Sequence, residues 1–205
     1  TANVDILGGE HLAQLAFEGA YERFGKPLPA EVKERLKAEL KIIYSNGYTA
    51  YFLMWHEIIS AARKLGAQVG PGRGSAACSL VLYCLGITQV NPLQFDLEFS
   101  DFFNTEQSLP RIEVEFDKLG RERVLKWIVE RYGEESVANI VAPNHISSNT
   151  ITEEFPQSQK LVGVVRKMDI HSCGVALCAE DISERVPLAF VESAEYENAV
   201  VVTQY

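Results

Sequence analysis

The sequence predicts a fold of the α/β or α+β class, a mixed sheet preceded by a helical N-terminal segment, and three observations lead there. Apolar residues recur at helical spacing through most of the first 65 positions. A short extended piece, a glycine-rich turn and an Ala/Leu-rich run then follow in that order. Beyond residue 110, apolar β-type runs surround a single further helical pattern.

Taken in order, residues 10–24 place Leu12, Leu15, Ala16, Gly19, Ala20 and Tyr21 at helical spacing, and Gly25-Lys26-Pro27-Leu28-Pro29 ends that run. Residues 30–44 set Val32, Leu36, Leu40 and Ile43 on one face. Glu31, Lys33, Glu34, Arg35, Lys37 and Glu39 fall mostly opposite, which is an amphipathic helix with a solvated polar side. Ser45-Asn46-Gly47 stops it. Residues 48–65 form a long, largely buried helix ended by Gly66 just past the C-cap.

Ala67-Gln68-Val69 leads into the turn at Gly70, and Ala76 to Leu85 reads as one helix closed by Gly86. Arg111 to Phe116 alternates polar and apolar side chains and predicts a strand. A helix over 120–132 directs Val124, Leu125, Ile128 and Val129 inward, and strands are expected over 136–142, 174–179 and 199–203. Residues 144–159 are polar and rich in Ser and Thr, a loop. The expected division is a helical lead-in over 1–47 and a second domain over 48–205.

The charge balance is 19 Lys plus Arg against 28 Asp plus Glu, a net −9, which repels polyanions and predicts weak or no DNA binding by this chain alone. No apolar run reaches the ~20 residues of a bilayer span, and no signal-peptide pattern opens the chain. A cytoplasmic location is the expectation. Cys78, Cys84, Cys173 and Cys178 lack metal-ligand spacing and fit buried reduced thiols.

Three places carry residue types suited to chemistry. In Gly70-Pro71-Gly72-Arg73-Gly74-Ser75, glycines permit a tight turn, backbone N–H groups and the Ser75 hydroxyl suit an anion, and Arg73 supplies a planar fork. A strand-to-helix turn with glycines for geometry alone is the competing reading. Along Pro110–Phe116, period two puts Arg111, Glu113 and Glu115 on one face. Two carboxylates there suit a divalent cation; alternatively Arg111 simply neutralises Glu113 on a solvated face. His171, Ser172 and Cys173 stand together without an orienting third group, and a nucleophilic pair is disfavoured. His11, His56 and His145 are isolated and read as core or surface residues.

These pieces together resemble one family. Gly47-Tyr48-x-x-Tyr51-Phe52-Leu53, the block Val69–Val81, Leu85-Gly86-Ile87-Thr88 and Asn91-Pro92-Leu93 are similar to the palm region of the bacterial replicative C-family DNA polymerases, the polymerase III alpha subunits. Phe99-x-x-Phe102-Phe103-Asn104, the 110–116 segment, Tyr132-Gly133, His171-x-x-Gly174-Val175 and Val202-Thr203-Gln204 continue the likeness in the same order, from about Leu7 to the end. The resemblance implies a nucleotidyltransferase-like palm related to polymerase beta. It also implies a triphosphate turn at Gly72, Arg73, Gly74 and Ser75, and two Mg2+ ions held by carboxylates.

The departures from that pattern are specific. The family's metal-holding segment reads Pro-Asp-Ile-Asp-Ile-Asp-Phe, and Arg111, Glu113 and Glu115 stand in place of its three aspartates. Arg111 brings a permanent cation to a metal-ligand position, and each Glu is one methylene longer than Asp. Asp101 and Gln107 replace two arginines, and only a shortened stretch, about 143–168, occupies the place of the thumb insertion. In the family that this sequence resembles, a further catalytic aspartate follows the Val-Thr-Gln segment by some distance. The expectations are therefore a palm homologue or fragment that does not synthesise DNA alone, with Glu113 and Glu115 as weak metal positions and no bound Mg2+. Deoxynucleoside triphosphate and replication proteins are the expected partners, with no membrane. An active polymerase fragment and a non-catalytic replication module are the alternatives.

Overall fold

The computed structural model describes residues 2–103, 109–147, 160–191 and 199–202, and compactness divides the chain into two units, Thr1–Leu125 and Lys126–Tyr205. The first holds α1 (Ala2–Phe24), α2 (Ala30–Ser45), α3 (Thr49–Lys64), α4 (Leu80–Cys84) and α5 (Phe99–Phe102). α6 (Lys118–Tyr132) crosses the boundary. One core joins Leu12, Ala16 and Ala20 of α1 to Leu36 and Ile43 of α2, Phe52 and Ile59 of α3, and Leu80 and Leu82 of α4. The helices before residue 47 thus share their apolar interior with those after it, and the division by compactness falls at Leu125 rather than at residue 47.

The helical expectations for the first 65 residues match α1, α2 and α3, with α1 starting earlier, at Ala2. α3 ends as its glycine predicts: Gly66 N–H donates to the Arg63 carbonyl and Ala67 N–H to the Ala62 carbonyl, a double closure of the last turn.

Two expectations are corrected here. The run 76–85 is not one helix but a 3-10 turn, Gly74–Cys78, then extended backbone at Ser79, then α4. Ser79 breaks the run because its Oγ accepts from Leu82 N–H as an N-cap, which requires a non-helical backbone at that position. Residues 111–116 are extended but belong to no sheet among the described residues; they form two isolated antiparallel bridges, Val69 to Phe116 and Arg73 to Glu113. The opposing segment carries Pro71, which has no N–H to give, and Gly72 at φ +128, so a continuous ladder cannot form.

The second unit holds a mixed four-stranded sheet in the order β2-β1-β4-β3, formed by β1 (Val137–His145), β2 (Val165–Leu177), β3 (Leu188–Val191) and β4 (Ala199–Val202). β1 and β2 are antiparallel, β1 and β4 parallel, and β3 and β4 antiparallel. Buried Val141 packs with Ile170 and Ala189 between the strands. β1 extends to His145, into the stretch expected as loop, β2 begins at Val165, well before the strand expected at 174, β3 lies where the sequence predicts no strand, and most of the polar 144–159 region lies outside the described residues. No helix of the described residues is long and apolar enough to cross a membrane.

Candidate functional site

The glycine-rich turn owes its position to two anchors. Gly70 N–H donates to the Glu115 carbonyl at 2.9 Å, and Gln89 N–H donates to the Pro71 carbonyl at 2.6 Å. Gly72 has φ +128, and a Cβ there would lie 3.2 Å from Cβ of Thr88; Gly74 has φ +60. Both conformations favour glycine, so the shape expected from the sequence is required by the backbone itself.

The structure brings the turn against the 110–116 segment. Arg73 Nη1 donates to Glu115 Oε1 at 2.9 Å, and its Nε lies 3.5 Å from Glu113 Oε2. Arg111 Nε lies 2.7 Å from Glu113 Oε1. Two guanidiniums and two carboxylates form one charge-balanced cluster, with Arg73 about two-thirds exposed (63%) and Arg111 82% exposed. Sequence alone pairs Arg111 with Glu113. That Arg73, some forty residues earlier, reaches both glutamates was not readable from the string. Ser75, next in the turn, is half-buried.

Among the described residues no three His, Cys, Asp or Glu side chains gather as a metal-binding group. Asp101 is exposed on α5, and Gln107 lies outside the described residues. His171 and its neighbours fall in an irregularity of β2: pairing with β1 passes from Asn139–Val175 directly to Val141–Ile170. The side chains of Ser172 and Cys173 lie outside the described residues. His56 Nδ1 is 3.0 Å from the Leu85 carbonyl, a tie between helices. Cys78 and Cys84 are buried free thiols, as expected, and burial pushes the Cys84 thiol up to about 12.

A residue the sequence misled on is Glu39. It is 1% exposed rather than solvated. Its carboxylate accepts from Arg35 Nε at 2.7 Å, Ser79 Oγ at 2.9 Å, and the N–H groups of Leu80 and Val81 at 3.0 Å. Arg35 also donates to the carbonyls of Cys78 and Leu97. This network fixes the backbone just after the glycine-rich turn to α2. Burial raises the Glu39 carboxyl above its ordinary range, and the four donated hydrogen bonds act against that rise. The signal was available: Val32, Leu36, Glu39 and Ile43 are spaced by four, three and four, a buried helical stripe. Asp117 is a second carboxylate of this kind, at the surface; it accepts from Gln68 N–H at 2.7 Å and Gly120 N–H at 2.9 Å, bonds that hold it below its usual range.

The fold and this site define a mixed α/β protein with a glycine-rich turn set against an acidic segment. The chain belongs to the bacterial DNA polymerase III alpha family: residues 10–155 match the family described as Bacterial DNA polymerase III alpha NTPase domain. It is 32% identical to the DNA polymerase III subunit alpha of Chlamydia trachomatis, over 85% of this chain and 18% of that protein. It is 40% identical to the subunit of Aquifex aeolicus over 74% of this chain and 13% of the relative. With that of Staphylococcus aureus it shares 42% identity over 59% of this chain and 12% of the relative. The chain therefore spans less than a fifth of the length of each of these relatives. The Chlamydia comparison runs over 224 positions, whereas 85% of 205 residues is about 174, so about 50 positions of that relative have no counterpart here.

Proposed function

We propose that this chain is a palm-derived piece of the polymerase III alpha family that does not catalyse DNA synthesis by itself. The observation that carries the reading is the Arg73–Glu115, Arg73–Glu113 and Arg111–Glu113 cluster. Metal-dependent nucleotidyl transfer needs carboxylates free to neutralise two cations. Here the carboxylates at the corresponding positions already neutralise guanidiniums, and Arg111 occupies the place of a ligand with the opposite charge. The donor set does not suit Mg2+. A shortened thumb insertion over about 143–168, as the family resemblance implies, leaves this chain less with which to grip primer and template.

Nucleotide-phosphate affinity at Gly72–Ser75 is the second part of the proposal. A triphosphate entering the turn competes with Glu113 and Glu115 for Arg73, so binding is weak but sensitive to those residues. The test is primer extension with Mg2+ or Mn2+ across a range of chain concentrations. No incorporation above background is expected, and template-dependent incorporation overturns the reading. Calorimetry with a deoxynucleoside triphosphate tests the turn: Arg73→Ala abolishes any binding observed, and unchanged binding removes the turn from the proposal.

A further inference from the structure

We infer that Arg23 and Arg63 form a second oxyanion site, at the Gly86 turn, that takes a phosphate group. Arg23 stands in the last turn of α1 and Arg63 in the last turn of α3. Arg23 Nη2 donates to Gln89 Oε1 at 3.2 Å, and Arg63 Nη2 donates to the Gly86 carbonyl. A Cβ placed on Gly86 would lie 3.2 Å from Arg63 Nη1 and 4.0 Å from Arg23 Nη2, so these two nitrogens are at most 7.2 Å apart. One phosphate, accepting on two of its oxygens at ordinary hydrogen-bond lengths, spans donors roughly 8 Å apart. The guanidinium of Arg23 lies 3.9 Å over the Tyr83 ring, which fixes its plane.

What distinguishes this pair is that two guanidiniums lie close to one another, with no carboxylate in ion-pair contact with either among the described residues. Among the described residues, Arg35, Arg73, Arg111 and Arg185 each lie against a carboxylate, although the chain as a whole is acidic. Arg23 and Arg63 instead meet an amide oxygen and a backbone carbonyl. Burial, and secondarily the charge of Arg23, hold Arg63 below its ordinary value. Two forks facing one space with like charge are relieved by a dianion or a diester, which each fork binds through paired N–H groups. Arg73 belongs to a different turn, so the two sites are separable by mutation.

The experiment titrates the whole chain with inorganic phosphate and, in a separate arm, with a short single-stranded oligodeoxynucleotide, both at constant ionic strength. Arg23→Gln and Arg63→Gln each weaken binding about tenfold, Arg63→Lys weakens it less, and Arg185→Gln, at an arginine paired with Glu180, leaves both titrations within twofold. Loss in the phosphate arm identifies a free phosphate as ligand; loss only in the oligonucleotide arm identifies a backbone diester. Binding that is indifferent to both Gln variants, or no saturable binding of either probe, overturns the inference. Circular dichroism of the variants confirms that they fold.

Discussion

Two arginine–glutamate clusters of this chain show how burial changes what the same chemistry does. Arg35–Glu39 is enclosed: Glu39 is 1% exposed, and four donors converge on its carboxylate. Arg73–Glu113–Glu115 is largely open to water, its side chains joined by ion pairs at 2.9 and 3.5 Å beside the backbone bridge from Arg73 to Glu113. In the first, the charge cannot leave without stranding its donors, so the pair acts as a fastening between α2 and the backbone after the glycine-rich turn. In the second, water and ions compete with each partner, so the contacts are exchangeable and contribute little to folding. The fastening is structural, whereas the partners in the open cluster exchange with water.

The largest effect follows from breaking the enclosed pair. Glu39→Ala strands the Arg35 guanidinium and the N–H groups of Leu80 and Val81, and the expected loss is about 3–5 kcal/mol in denaturant unfolding. A loss below about 1 kcal/mol would dissolve the contrast between the clusters. Next comes a gain: Glu113→Gln with Glu115→Gln frees Arg73, and triphosphate affinity measured by calorimetry rises about tenfold, near 1.4 kcal/mol. Affinity that stays flat separates Arg73 from phosphate binding.

A smaller effect appears in acid. Asp117 is held below its usual range in the folded chain, so its contribution to stability is complete above the ordinary aspartate value and disappears as pH falls through the lowered one. Asp117→Asn removes that part of the acid-side decline in melting temperature, and an unchanged acid profile contradicts the assignment. Smallest of all, Arg111→Ala, at a side chain 82% exposed, shifts stability by less than about 1 kcal/mol in the same unfolding experiment.

Much of the helical part was legible because its signals are local. The Val32–Ile43 stripe, the break at Gly25–Pro29 and Gly66 after α3 each act within a turn or two of chain. The family was legible too, since the glycine-rich block is long and specific. The errors arose where distant groups decided. The split of the 76–85 run rests on the local Ser79 cap and also on Glu39, about forty residues away in sequence, taking the N–H groups of Leu80 and Val81. The failed strand at 111–116 depends on what its neighbour offers: alternation predicts extension, but a ladder needs a partner with free donors, and Pro71 withholds one. For the candidate site, the residues were named from sequence, while the contact of Arg73 with both glutamates came from the fold.

The sequence by itself determined the turn, because glycines at positions 72 and 74 allow backbone angles that other residues resist, and it determined the charges, because a guanidinium stays cationic wherever it lies. Tertiary structure alone decided which charges meet. It enclosed Glu39, turned Arg73 toward Glu113 and Glu115, and left Arg23 and Arg63 without a carboxylate among the described residues. Pairing depends on distances between segments far apart in the chain, and on the water excluded from between them, and neither quantity is written in a local run of residues.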